Sequence, residues 1–318
     1  MPQQTTHDGR RQSSGPLLKS EPFQTYLEVP VAGGTLTVGR AGPAPEAGGT
    51  VVLGLHGMTG SHMVFRTLAR ELGDDPRPMC LLAPDLRGRG RSALLPEPHG
   101  IAAHVADLIA VLDHVGAGRA ILVGHSMGCN IAARFAADHP DRTAAILLVD
   151  SGLPLISEKS VNDGTPGLFD RFEATFASSD DYMAYWRKHP ALKDVWDEDI
   201  EAFTRCDFVE DETGVHCVVN VNVVLADVAD LTFDGVSWRA VTRVRAPVRL
   251  MRAERGMYDD EPLIPLPELD EFLRAHPNVT AELVPDVNHF TLLIGGGHGP
   301  RRVAATVTEM AAAVVPAG

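Results

Sequence analysis

Nowhere do the 318 residues run apolar for the ~18 or more positions that a membrane-spanning helix needs. The first 22 residues are polar and contain Gly15, Pro16 and Pro22, and no hydrophobic region follows the Arg10-Arg11 pair. No secretory or twin-arginine signal is therefore expected, and residues 1–22 are expected to form a disordered arm. Positive charge is scarce. Against 42 acidic residues stand 28 basic ones, a formal net charge of -14. That balance excludes nonspecific binding to nucleic acid or to anionic membranes, both of which attract basic patches. Cysteine is also rare, with Cys80, Cys129, Cys206 and Cys217 forming no C-x-x-C pair. Without that spacing, an H-E-x-x-H or a clustered Cys/His set, no metal and no cofactor is expected. Thiols of this kind fit a reducing cytoplasm best.

What is present is an alternation of strands and helices. Gln24–Val29 and Thr35–Arg40, separated by Gly33-Gly34, predict a hairpin. Val51–Leu55, Met79–Ala83, Ala120–Val123 and Ala144–Val149 are short apolar runs, as expected of strands buried on both faces. Between them, Met63–Leu72, Ile101–Val115 and Met127–Asp138 read as helices. The rhythm breaks after Asp150 and resumes with the strand Val248–Ala253, the helix Glu268–Ala275, the strand Ala281–Val284 and the helix Arg302–Val314. The pattern predicts an α/β fold with a mostly parallel sheet flanked by helices. Its core spans 23–150 and 241–318, and an inserted helical cap spans 151–240. Phe169, Phe172, Phe176, Tyr182, Tyr185, Trp186, Phe203 and Phe208 of the insertion fall mostly at helical spacings. They suit either a lid over an apolar pocket or the insertion's own core.

Gly124-His125-Ser126-Met127-Gly128 matches G-x-S-x-G between the strand Ala120–Val123 and an alanine-rich helix. A sharp strand-to-helix turn crowds the backbone, and glycines two positions either side of the serine relieve it. The turn lifts Oγ from the sheet edge and leaves the Met127 amide at a helix start, where an oxyanion would form. Here the chain resembles the α/β-hydrolase family, over roughly residues 24–315 apart from the insertion. His56-Gly57 is similar to that family's HG motif, which implies that the Met58 amide is the second oxyanion donor. Asp85-Leu86-Arg87-Gly88-Arg89-Gly90-Arg91-Ser92 is similar to its D-x-x-G-x-G-x-S loop, which implies structural roles for Asp85 and Arg87. Asp286-Val287-Asn288-His289-Phe290 follows a strand near the C-terminus, where the family carries its catalytic histidine.

Among 13 histidines, His289 follows the last predicted strand within a few residues and precedes the last helix. Chemistry in open α/β sheets gathers at that edge. His56 and His125 are expected to support the site, whereas His62, His104, His114, His139 and His298 have no partner motif. The carboxylate is less plain. The resemblance implies an acid in a G-x-x-D turn after Val248–Ala253, but Gly256 occupies that place. Two explanations stay open: Glu254, Asp259 or Asp260 serving from a shifted loop, or Asp150, which ends a strand 24 residues after Ser126. Some family members carry the acid at the Asp150 position, and Asp150 is favoured.

The expected chemistry is acyl transfer, with Ser126 as nucleophile, His289 as general base and Asp150 as the acid. The expected substrate is a small hydrophobic ester or lactone. Serine rather than aspartate at the nucleophile position argues against an epoxide hydrolase or haloalkane dehalogenase. The alternatives are carbon–carbon bond hydrolysis or cofactor-free lyase or oxygenase chemistry on the same fold, and a ligand-binding protein without turnover. Oligomeric state is not encoded legibly.

Overall fold

The structure is a computed structural model, and it describes residues 11–12, 21–45, 49–154, 170–233 and 235–314. The strands are β1 (Arg11–Gln12), β2 (Thr25–Val31), β3 (Gly34–Ala41), β4 (Thr50–Leu55), β5 (Met79–Pro84) and β6 (Ala120–His125). They continue with β7 (Thr143–Val149), β8 (Thr175–Phe176), β9 (Phe208–Asp211), β10 (Gly214–Cys217), β11 (Val248–Arg255) and β12 (Val279–Asn288). The α-helices are α1 (Arg66–Gly73), α2 (Ile101–His114), α3 (Met127–Asp138), α4 (Asp170–Glu173) and α5 (Ser179–Trp186). Then come α6 (Glu198–Arg205), α7 (Val221–Phe233), α8 (Leu266–Ala275) and α9 (His298–Val314).

Eight strands form the main sheet in the order β12-β11-β7-β6-β4-β5-β3-β2. The pairs from β12 to β5 are parallel, and the β2–β3 hairpin joins the β5 side antiparallel. β5 and β6 are buried at every position, as is β4 after its first residue. Continuous apolar sequence and burial on both faces are two aspects of one fact, because helices cover each side of a parallel sheet. One core layer gathers Val52, Ile121, Val123, Leu147, Val303 and Val307, and the other gathers Leu53, Leu122, Leu148, Val111 and Phe135. From β4 the chain moves to one side to form β5, then crosses to the other side to form β6. That reversal opens a crevice at the carboxyl ends of β4 and β6, the position where open α/β sheets hold ligands.

The insertion departs from an all-helical cap. A small antiparallel sheet in the order β1-β9-β10-β8 lies within it, beside α4, α5, α6 and α7. Its outermost strand comes from the arm that composition alone marks as disordered: Arg11 pairs with Glu210 and Gln12 with Val209. The open edge of β9 supplies backbone donors and acceptors that a polar segment can satisfy, whatever its side chains. Residues 1–10 and 13–20 of that arm, and Phe169, lie outside the described residues. Within the described residues no helix is long and apolar enough to cross a membrane. The four cysteines are free, and Cys80 and Cys129 are buried.

Candidate active site

Ser126 sits between β6 and α3 with φ 55° and ψ -124°. A non-glycine residue at positive φ is strained and persists only where its surroundings fix it. Here they do. The Ser126 amide donates to the Val149 carbonyl at 3.3 Å, and its carbonyl accepts the Cys129 amide at 2.9 Å. A Cβ on Gly124 would overlap the Gly128 carbonyl, and one on Gly128 would overlap that of Leu55. Helix α3 therefore lies against the ends of β4 and β6 at a distance only glycines permit.

The loop after β4 stands beside the serine: a Cβ on Gly57 would lie 3.0 Å from Ser126 Cβ. His56 holds this loop. The Leu86 amide donates to His56 Nε2 at 2.9 Å, which places the ring proton on Nδ1, and Nδ1 donates to the Gly57 carbonyl at 2.8 Å. Burial pushes the His56 imidazole down to about 3, so it stays neutral in this tautomer. Met58 follows in the loop and Met127 opens α3, so the residues expected to donate oxyanion hydrogen bonds flank Ser126 on two different elements.

His289 follows β12 directly. Its Nδ1 donates to Asp150 Oδ2 at 2.9 Å, and both side chains are about 2% exposed or less. With its proton on Nδ1, the ring has Nε2 free as an acceptor. The ring stacks on His125 at 4.7 Å between centroids, and His125 Nε2 donates to the His289 carbonyl at 2.9 Å. Burial pushes His125 down to about 3 as well. Asp150 ends β7 at φ 57°. Its amide donates to the Met251 carbonyl at 2.8 Å, and its Oδ1 accepts the Ala253 amide at 2.9 Å. The carboxylate thus bridges the end of β11 and the histidine, with both oxygens engaged.

The other carboxylates weighed from the sequence stand elsewhere. Asp259 is exposed and accepts from Arg255 Nε at 2.7 Å and Asn288 Nδ2 at 3.0 Å, contacts that hold it below the usual carboxylate range. Glu254 is exposed and accepts the Asp286 amide at 2.7 Å. Asp260 accepts the Tyr258 amide at 3.2 Å within its own turn. At Gly256, where the family resemblance implied an acid, a Cβ would overlap the Glu261 carbonyl, so that turn is closed to any side chain. Asp85 and Arg87 have framework contacts. Asp85 accepts from the His62 amide at 2.8 Å and the Arg91 amide at 2.9 Å, and Arg87 forms a fork on Asp107 at 2.7 and 2.9 Å.

Asn288 is the residue that sequence reading passed over. Its Oδ1 accepts the Phe290 amide at 3.1 Å and the Thr291 amide at 3.0 Å, closing the turn that presents His289. Its Nδ2 donates to the Ala191 carbonyl at 2.9 Å and to Asp259. The signal was local: an asparagine beside the histidine, three residues before a threonine, is a turn-forming pattern. A cavity of about 380 Å³ has Thr59, from the loop after β4, and Phe290, the residue after His289, in its lining, with Arg171 and Lys188 also present. Tyr185, Trp186, His189 and Tyr258 supply most of its apolar wall.

A family model described as alpha/beta hydrolase fold matches residues 50–248. The chain belongs to that family. Among curated relatives, it is 40% identical over 120 residues to "Lipase LipV" of Mycobacterium tuberculosis, covering 38% of this chain and 43% of the relative. It is 33% identical over 127 residues to "Serine hydrolase-like protein" of Danio rerio, covering 39% of this chain and 37% of the relative. The matches thus span under half the length of either relative. Among solved structures, E-2-(acetamidomethylene)succinate hydrolase superposes with a TM-score of 0.73 at 21% identity, covering 90% of this chain and 99% of that one. That likeness concerns the fold.

Proposed function

We propose that this protein is a serine hydrolase that cleaves a carboxylic ester or lactone through an acyl-enzyme, with Ser126, His289 and Asp150 as its triad. The observation that carries the reading is the buried 2.9 Å hydrogen bond from His289 Nδ1 to Asp150, beside a serine held at positive φ on a strand-to-helix turn. Asp150 fixes the imidazole with Nε2 unprotonated and stabilises the imidazolium that forms. His289 Nε2 then takes the Ser126 proton as Oγ attacks the carbonyl carbon. The Met58 and Met127 amides receive the developing oxyanion, the alcohol leaves with the proton from His289, and water deacylates by the same route. The name of the mycobacterial lipase, to which the chain is 40% identical over 120 residues, supports an ester substrate. The aromatic wall formed by Tyr185, Trp186, Tyr258 and Phe290 favours a small hydrophobic acyl or alcohol group.

A fluorophosphonate probe tests this directly, since it phosphonylates only an activated serine. The expected result is stoichiometric labelling of the wild type and none of Ser126→Ala. Equal labelling of Ser126→Ala, or no labelling of folded wild type, would remove Ser126 as the nucleophile.

A further inference from the structure

The reading of Ser126 as nucleophile leaves one buried cluster without a task. Arg89, in the loop after β5, is fully buried, as are Asp227 on α7 and His104 on α2. Three charged or titratable side chains without exposure are costly unless each is paired, and paired they are. Arg89 Nη1 lies 2.6 Å from Asp227 Oδ2, and His104 Nε2 lies 3.1 Å from Asp227 Oδ1. Beyond Asp227 and a carbonyl of its own loop, Arg89 reaches the two residues expected to flank the oxyanion. Its Nε donates to the Met58 carbonyl at 2.8 Å, and its Nη2 lies 4.0 Å from Met127 Sδ. One guanidinium therefore touches both residues whose amides face the expected oxyanion.

We propose that Arg89 is a positioning residue for the oxyanion hole, and that it ties the hole's geometry to the seating of α7 through Asp227. Three observations join in it. First, the Met58 carbonyl is an acceptor that Arg89 holds from the far side of the loop. Fixing the Met58–Thr59 peptide limits rotation at the Met58 Cα and so restrains, from its far end, the Gly57–Met58 peptide that carries the Met58 amide and whose carbonyl His56 and the Gly60 amide hold. Oxyanion donors work only within a few tenths of an ångström of the right place. Second, a guanidinium is the one side chain with a fixed fork able to serve Met58, the Arg87 carbonyl at 3.0 Å and Asp227 together. Third, α7 is keyed to the core at further points, once to the Arg89 loop through the residue before the helix and once to the start of α2. The Asn220 amide donates to the Gly88 carbonyl at 2.8 Å, and the Ile101 amide donates to Asp230 at 2.9 Å. Movement of α7 away from the core would withdraw the carboxylate that holds Arg89 in place. The insertion then has a route to the chemistry that does not pass through the substrate pocket.

The test uses the full-length enzyme and an activated aryl ester, and it rests on the serine-hydrolase reading above. Arg89→Lys keeps a buried positive charge for Asp227 but cannot also reach Met58. We expect kcat to fall about 10- to 100-fold, the range below loss of an entire oxyanion donor, with KM within about twofold. Affinity for an aryl boronic acid, whose adduct places an oxygen in the hole, should fall by the same factor. The triple variant Arg89→Met/Asp227→Leu/His104→Leu removes both charges and the histidine that Asp227 holds, so it leaves no ion or imidazole of the cluster unpaired and restores stability if charge balance were the only role. It should regain Tm without regaining kcat. If either folded variant keeps kcat and boronate affinity within twofold of wild type, Arg89 balances charge only and the proposal falls. Fluorophosphonate labelling separates the two ideas. An unlabelled wild type overturns the serine-hydrolase reading, whereas variants labelled as fast as a labelled wild type overturn only the role of Arg89.

Discussion

Replacing Asp150 by asparagine removes one charge and leaves the shape of the side chain intact. Both carboxylate oxygens accept N–H donors, Oδ1 from Ala253 and Oδ2 from His289 Nδ1, each at 2.9 Å. A carboxamide offers one acceptor and one donor. The Ala253 amide sits in β11 and can only donate, so the carboxamide oxygen turns toward it. The NH₂ group then faces His289 Nδ1, which must accept, and the ring proton moves to Nε2. A base protonated on Nε2 cannot take the Ser126 proton. Loss of the working tautomer costs about 10⁴-fold in kcat, roughly 5 kcal/mol of transition-state stabilisation. The fold should persist, because asparagine tolerates the φ of 57° that Asp150 adopts. Steady-state kinetics on a p-nitrophenyl ester, alongside a thermal melt, measures both. KM should stay near wild type, and Asp259→Asn and Glu254→Gln should each keep kcat within about threefold, since neither carboxylate meets the histidine. A kcat for Asp150→Asn within tenfold of wild type, or a hundredfold loss in Asp259→Asn, would refute the assignment.

Asn288→Ala removes the one oxygen that accepts both amides closing the turn bearing His289, and should lower kcat about 10- to 100-fold with little change in KM; unchanged kcat would count the residue as packing only. A pH series tests the buried histidines. His56 and His125 both hold folded values of about 3, below the ~6.5 of an unfolded chain. The unfolded state therefore binds more protons below pH ~6.5, and the stability from keeping both rings neutral, complete above that pH, drains away as pH falls toward 3. At pH 5 the loss amounts to about 4 kcal/mol for the pair, read as a shift in urea midpoint between pH 7 and pH 5. Equal midpoints at the two pH values would show that these rings are not held neutral.

The parts legible in the sequence are those that local pattern encodes. Val51–Leu55 and Ala120–Val123 are uniformly apolar because they are buried on both faces, and they became β4 and β6 within a residue or two. Gly124 and Gly128 are required by backbone contacts that any such turn creates, so the place of Ser126 could be read before the fold was known. Asp150 was harder, because an acid at the end of a strand has many uses, and its approach to a histidine 139 residues away is set by the sheet order. His104 illustrates the limit more sharply. It reads as an isolated histidine, yet its carboxylate partner lies 123 residues on, inside the insertion. The β9–β10 hairpin was hidden for a different reason. Its strands are four residues each and partly polar, and the surrounding aromatics suggest a helical period. Those aromatics serve two tasks: Tyr182, Phe203 and Phe208 are buried in the core, Tyr185 lines the cavity, and Trp186 does both.

The closed turn at Gly256 has a consequence for how such a protein diversifies. On the proposed assignment of the acid to Asp150, nucleophile and acid both lie before the insertion, at the ends of the neighbouring strands β6 and β7. The segment from Gly256 to Glu261 is then released from carrying a catalytic group, and its next two residues, Met257 and Tyr258, line the cavity instead. Substitutions at Met257 and Tyr258 change the wall of the cavity, whereas Asp259 stays tied to Asn288 in the turn that presents His289. Where the family resemblance implied a catalytic acid, this chain carries cavity wall instead.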